Sequence, residues 1–425
     1  MPVIDRSSIA NESGGSRIAY LESIRGLAAL QVLLLHVLAA FAPDLIFSRP
    51  AIAPIAGYLH LSPLYFIYDG YSAVYIFFIL SGYVLTRSFE RSPAGPISQI
   101  LARIVRLGLP ALAAVLVAAA TMLTFGKLNI RVGELTGSAW FASQWSTDVS
   151  AISVIRDGTL NALFLGYRGL SEASFLSPWQ QPVERSFVAP LWTLSIEFYG
   201  SIIILALCWC ARKSRVLWWS GLLLGVLFTV RSAYLCFFAG HLLATLACAE
   251  RPAPASKVLP IFCIAAGIFL CVLAEIWHPE WLRHLCASPT YLLFPGQFAP
   301  MQQKAFGAIL VLTGLINLEA ARRVLSRPWL VAQSRLSFPL YLIHWPILFG
   351  PSAALFLLLN GMVGLEYARL GAIVAGCCLA LLGSTLLLPV DRCALQWSRA
   401  LRKPMSSGLS REPSGVRPLG SMAAE

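Results

Sequence analysis

Residues 21–41 read LESIRGLAALQVLLLHVLAAF, an apolar run of membrane-spanning length interrupted by Glu22, Ser23, Arg25, Gln31 and His36. About 20 apolar residues suffice for one transmembrane helix. On that helix Arg25 and His36 share one face, about three turns and roughly 16 Å apart along the axis. A cation at one end of a hydrocarbon-buried helix and an imidazole deeper in it are costly to place there, so they mark a site that runs into the bilayer.

Composition extends this reading to the whole chain. The 425 residues are 57% hydrophobic and 12% charged, with mean hydropathy +0.71, whereas soluble domains carry about 25% charged residues. The expected fold is all-α, a polytopic integral membrane protein of about ten transmembrane helices. These are expected near 21–41, 64–85, 103–125, 190–211, 215–231, 233–249, 258–275, 303–320, 337–359 and 367–390. Residues 1–20 mix Arg6 and Arg17 with Asp5 and Glu12 and hold no apolar run. They are expected to form a cytoplasmic N-terminal segment without a cleavable signal peptide.

The net charge of +12 would suggest nucleic acid in a soluble protein, but here it is topological information. Arg87 and Arg91, Arg212, Lys213 and Arg215, Arg251 and Lys257, and Arg322, Arg323 and Arg327 follow alternate spans, with Arg392, Arg399, Arg402 and Lys403 after the last. By the positive-inside rule these connections and both termini are expected to be cytoplasmic, in a bacterial inner or plasma membrane. No nucleic-acid partner is expected. Residues 396–425, rich in Ser, Pro and Gly, read as a disordered cytoplasmic tail.

The connection 126–189 is exceptional in length and carries Trp140, Trp145, Trp179 and an apolar patch at 160–165. A loop of this size is either a functional lid or binding element or an interfacial stretch held by its tryptophans. The ten cysteines lie mostly in apolar runs with no CxxC, and read as small buried hydrophobes. The six histidines show no HxxxH spacing, so no metal site is expected.

Depth along the spans sorts the remaining polar residues. His36, Asp69 and Glu197 are expected in one outer layer, His344 nearer the middle, and Arg25, Arg103 and Arg106 toward the cytoplasm. A histidine activates a hydroxyl as general base, with a carboxylate beside it tuning its charge. Arginines hold phosphates through forked hydrogen bonds. Acyl-coenzyme A has the matching layout, with phosphates separated from the thioester by a long arm. Each residue also has a plain structural reading: Arg25 as a snorkelling anchor, His36 as a helix-packing donor, Arg103 and Arg106 as anchors sharing a face, Asp69 as an interfacial structural acid. Ser195 lacks the GxSxG context of an exposed nucleophile.

At these residues the chain resembles the membrane-bound acyltransferase family 3. The resemblance rests on LESIRGLAALQVLLLH, VYIFFILSGYVL, RIVRLGLP, PLWTLSIEFYG and LSFPLYLIHWPIL, in family order over about residues 20–395. It implies a ten-helix core at 21–395, a cytoplasmic acyl-CoA donor, acetyl first among the acyl groups, with no bound cofactor. It also implies a carbohydrate or glycolipid acceptor on the outer side. Among the residues it implies His36 as catalytic base, donor-site roles for Arg25, Arg103 and Arg106, and motif positions for Glu197 and His344. The chain departs from the pattern at Glu22-Ser23, at Tyr75, where many members carry Asp, and at Asp391 and Cys393. A transporter or flippase lined by the same residues is the rival expectation, weakened by the lack of a duplicated half.

Overall fold

A computed structural model of the chain describes residues 6–47, 54–170, 174–248, 257–287 and 298–403. Its helices, in chain order, are α1 (Arg6–Phe41), α2 (Pro54–His60), α3 (Gly70–Arg91), α4 (Pro96–Phe125), α5 (Leu128–Thr136), α6 (Ala139–Ser143), α7 (Ala151–Arg156), α8 (Trp192–Lys213) and α9 (Arg215–Thr229). They continue with α10 (Tyr234–Cys248), α11 (Val258–Leu273), α12 (Glu280–Ala287), α13 (Ala299–Asn317), α14 (Glu319–Leu325), α15 (Pro328–Ser334), α16 (Ser337–Ile347), α17 (Ala353–Val363) and α18 (Leu365–Leu401). Among the described residues the β structure is one parallel pair, β1 (Tyr167–Arg168) on β2 (Gln181–Pro182).

The ten expected spans all fall on apolar helices, but fewer than ten have membrane-crossing length. Among the described residues six do, and α13 with α14, bent by 89° at their junction, makes up to a seventh. The shortfall is α9, α10 and α11, with 15, 15 and 16 residues. At about 1.5 Å per residue each is shorter than a hydrocarbon core of about 30 Å.

Two boundaries differ from expectation for local reasons. The second span begins at Gly70 rather than near residue 64, because Ser62-Pro63 opens a separate 3-10 turn and the Asp69 carboxylate caps α3 by accepting from the Ser72 N–H. Asp69 is therefore a cap, not a residue one turn inside the helix. Residues 396–401, expected in the tail, continue α18; residues 404–425, the rest of the expected tail, lie outside the described residues, as do Arg49 and Arg251. The span from Ser337 to Val363 contains a π turn at Leu348–Ser352. It falls where Pro346 and Pro351 each remove a backbone donor from the ladder.

α3 is the axis of the bundle, packed on α1, α8, α10 and α13, while α1 lies between α3, α15, α16 and α18. The α3 and α10 backbones touch: a Cβ on Gly82 would stand 2.4 Å from the Phe237 carbonyl oxygen, and one on Gly240 would stand 2.1 Å from that of Ile79. Small residues replace the hydrophobic drive that helices lack in lipid.

The described residues of 126–189 fold back as a packed cap on the end of α1 beyond His36. Thr136 Oγ1 and Ser138 Oγ donate to the carbonyls of Ala40 and Ala39, at 2.9 and 2.7 Å. Inside the cap Asp157 accepts from Tyr167 Oη, Gln181 Nε2 and the Phe187 N–H, each at 2.8 Å, and from Asn161 Nδ2 at 3.2 Å. Burial pushes the Asp157 carboxyl above its usual range, and the Phe187, Tyr167 and Asn161 donors pull against it. Trp145 is fully buried with φ 58°, a left-handed conformation held by its indole N–H donating to the Phe187 carbonyl.

Candidate active site

α1 presents Arg25 and His36 toward two different groups of residues, one at each end of the same face. Around Arg25 lies a cavity of about 450 Å³, walled by α1, α3, α4, α8, α16 and α18. Its charges are mostly paired. Arg25 meets Glu22 at 2.9 Å, Arg103 meets Glu197 at 2.6 Å, and Arg106 meets Asp391 at 2.5 Å. Ser81 Oγ donates to the same Glu197 oxygen at 2.8 Å, and the Arg106 guanidinium sits 5.2 Å from the Phe338 ring centre.

Sequence reasoning placed Glu197 in an outer layer beside His36, and the structure places it with Arg103 instead. A carboxylate this far into α8 requires a countercharge. Arg103, about two turns into α4, supplies it. Asp391, first noted as a departure from the family pattern, is the partner of Arg106. Arg335, which joins α15 to α16 and was not singled out in the sequence, is exposed and lines the cavity. Four guanidinium groups, of Arg25, Arg103, Arg106 and Arg335, thus face the carboxylates of Glu22, Glu197 and Asp391. Spare donors remain: Arg103 Nε meets no acceptor among the described residues.

At the other end, His36 is half-buried, and its Nδ1 lies 3.1 Å from His344 Nε2. His344 is buried, and its Nδ1 lies 3.0 Å from the Leu340 carbonyl oxygen. Donor and acceptor logic fixes both neutral tautomers. A carbonyl only accepts, so His344 Nδ1 carries the proton and Nε2 offers a lone pair; His36 Nδ1–H then donates to it, leaving a lone pair on His36 Nε2. Trp140 of the cap stacks on the His36 ring at 5.7 Å, and Trp345 meets it edge-on at 5.3 Å. Sequence reasoning had no means to find the His36 and His344 pair, whose members are 308 residues apart.

The two ends connect through α16. Tyr341 lines the arginine cavity and its ring lies 6.2 Å from that of His344. Its hydroxyl donates to the Pro190 carbonyl at 2.7 Å and is bonded to Thr193 Oγ1 at 2.8 Å. Ser195 is buried and donates to the Trp192 carbonyl at 3.1 Å, a helix-internal contact.

Asp69 does not reach His36. Its Oδ2 bonds Lys304 Nζ at 2.8 Å, and both side chains are fully buried. Lys304 also meets Glu275 at 2.6 Å, and His60 Nε2 and Tyr65 Oη reach Glu275 at 3.5 and 3.1 Å. Burial acts to raise the Glu275 pKa, but the His60 contact and the Lys304 charge override it and take it down to about 2. Lys304 lies outside the candidate residues drawn from the sequence; a lysine near the start of an apolar span is the signal that marks it. Among the described residues no three His, Cys, Asp or Glu side chains gather in a metal-binding group.

A helical membrane bundle with an arginine-lined cavity at one end and a histidine pair joined to it along one helix defines a class of integral membrane protein with a two-ended polar site. A family model described as an acyltransferase domain, family 3, matches residues 18–388. The chain belongs to this acyltransferase family. No curated protein and no solved structure matches it.

Proposed function

We propose that the protein is a membrane O-acyltransferase that moves an acyl group, acetyl foremost, from acyl-CoA to a hydroxyl of a cell-surface or exported carbohydrate. In this reading the chain lies in a bacterial inner or plasma membrane with both termini in the cytoplasm. The Arg25 end then opens to the cytoplasm and the cap faces outward. Acyl-CoA enters the arginine cavity, where the exposed Arg335 on its wall takes phosphate oxygens. The thioester arm follows Tyr341 toward His344.

The observation that carries the proposal is the tautomer chain from the Leu340 carbonyl through His344 to His36. It leaves His36 Nε2 unprotonated, as a general base requires, with its ring held by a partner that is itself oriented. His36 Nε2 takes the proton of the acceptor hydroxyl as that oxygen bonds to the thioester carbonyl carbon. The carbon–sulfur bond then breaks, and His36 Nε2 gives the proton to the departing sulfur, so CoA leaves as its thiol and the base is restored. His344 positions the base; Glu197 holds the arginine cavity in shape rather than assisting His36.

The test compares the acyl content of the surface glycan, by mass spectrometry or NMR, in cells carrying wild-type protein, His36→Ala or no protein. Acylation should require wild-type protein, and His36→Ala should slow it by about 10²- to 10⁴-fold. Equal acyl content in all three would sink the proposal.

A further inference from the structure

We propose that the indole N–H of Trp345 is an oxyanion donor, which stabilises the negative charge that develops on the acyl carbonyl oxygen during attack. This assignment rests on the acyl-transfer reading given above.

Trp345 follows His344 in α16 and is 1% exposed. Its ring is fixed on several sides. It stands edge-on to His36 at 5.3 Å and to Trp140 at 5.8 Å, and stacks on Phe349 at 4.6 Å. Phe349 lies in the π turn that follows α16, so the widened turn helps seat the indole. Yet Trp345 Nε1 meets no acceptor among the described residues. The contrast with other indoles is direct: Trp145 donates to the Phe187 carbonyl and Trp218 to His241 Nε2, each at 2.9 Å.

A buried donor without a partner costs about 1–3 kcal/mol. Phenylalanine would keep much of the aromatic packing without that cost, so packing alone does not account for an indole here. A hydrogen bond made only when substrate is present does. The chemistry needs such a donor at this place. The attacked carbonyl lies within bond-forming distance of the hydroxyl that His36 deprotonates, so its oxygen falls among the groups that touch His36. Three nearby donors are spent or remote: the Tyr341 hydroxyl donates to Pro190, Ser195 donates to Trp192, and Arg25 lies about three turns along α1; the Trp140 indole, stacked face to face on His36, is less buried than that of Trp345. In the step itself the acceptor oxygen bonds to the carbonyl carbon and the carbonyl π pair moves to oxygen, where the indole N–H meets it. The pair returns as the carbon–sulfur bond breaks.

The experiment uses full-length protein in membranes that carry the native glycan, with radiolabelled acetyl-CoA as donor and incorporation into glycan as the rate. Two variants remove the N–H: Trp345→Phe, and Trp345 replaced by β-(3-benzothienyl)alanine, which keeps the bicyclic shape with sulfur in place of N–H. Both should lose about 10²- to 10³-fold in kcat. The KM for acetyl-CoA should stay within about threefold of wild type, since the bond forms only in the transition state. The melting temperature should be equal or higher, because an unsatisfied buried donor has gone. A benzothienyl variant that keeps its rate overturns the assignment, as does a rate loss that only tracks the fraction of folded protein. His36→Ala separates the two proposals. If it is inactive while the benzothienyl variant is active, the oxyanion assignment alone fails; if wild type transfers no acetyl, or His36→Ala transfers it as fast, the acyl-transfer reading fails and takes this one with it.

Discussion

At the scale of the single residue, the catalytic proposal stands on which ring nitrogen holds a proton. His344 Nδ1 is committed to the Leu340 carbonyl, so its Nε2 is an acceptor for His36 Nδ1–H, beside a backbone bond of the same ring with Val32. A glutamine at 344 offers a carbonyl oxygen to the same His36 Nδ1–H, whereas a leucine leaves the ring only its backbone bond with Val32. His344→Leu should therefore lower kcat by about 10- to 100-fold through loss of orientation. His344→Gln should recover a large part of it, with the KM for donor unchanged in both. Steady-state rates on the three proteins check this, and equal loss in both variants would leave His344 with a packing role only. The residues themselves are legible: Arg25, His36, Arg103, Arg106, Glu197 and His344 all stand out as ionisable groups in apolar runs. Their partners are not. Depth along a span says how far a side chain lies from an interface but not which neighbour it faces, so His36 was given Asp69 or Glu197 when its contact is His344.

At the scale of the element, buried charge decides which helices pair. Arg103 with Glu197 joins α4 to α8, and Arg106 with Asp391 joins α4 to α18. Lys304 of α13 joins the cap residue of α3 to Glu275 beyond α11. An ion inside the bundle is tolerable only opposite its countercharge, so each pair fixes rotation as well as contact. The Glu275 pKa, lowered from 4.5 to about 2, gives this a measurable consequence. A carboxyl with a depressed folded-state pKa binds fewer protons when folded. Its contribution is complete above its unfolded value of about 4.5 and is lost as pH falls toward the folded value. Thermal melting of detergent-purified protein should therefore drop between pH 4.5 and about 2. Glu275→Gln should melt lower at neutral pH and show a shallower acid limb; an unchanged limb would mean that other carboxyls dominate it. Helix positions were legible from hydropathy, because apolar runs of such length have few alternatives. Helix ends were less so: Asp69 capping α3 and the π turn after Pro346 depend on local hydrogen bonds that hydropathy does not register.

At the scale of the whole molecule, charge and covering divide the two ends. The Arg25 end gathers the arginine cavity, and the His36 end carries the packed cap of residues 126–189. The sequence marked that segment as long and rich in tryptophan, but not as a folded unit. Its cohesion comes from contacts between positions with no common spacing, such as Asp157 with Tyr167, Gln181 and Phe187. The proposed activity requires the two ends to face different compartments, with the donor cavity on the acyl-CoA side. That orientation rests on arginine clusters in alternate connections, and a labelling experiment decides it. Ser150, in the cap, and Arg323, in α14, are both exposed. In a cysteine-free protein that retains acylation, Ser150→Cys should react with an impermeant maleimide on intact cells, and Arg323→Cys only after the membrane is opened. The reverse pattern would put the arginine cavity outside, away from cytoplasmic acyl-CoA, and the donor assignment would fall. Labelling of both on intact cells would contradict the end-to-end separation itself, because one face of α1 could then no longer join two compartments.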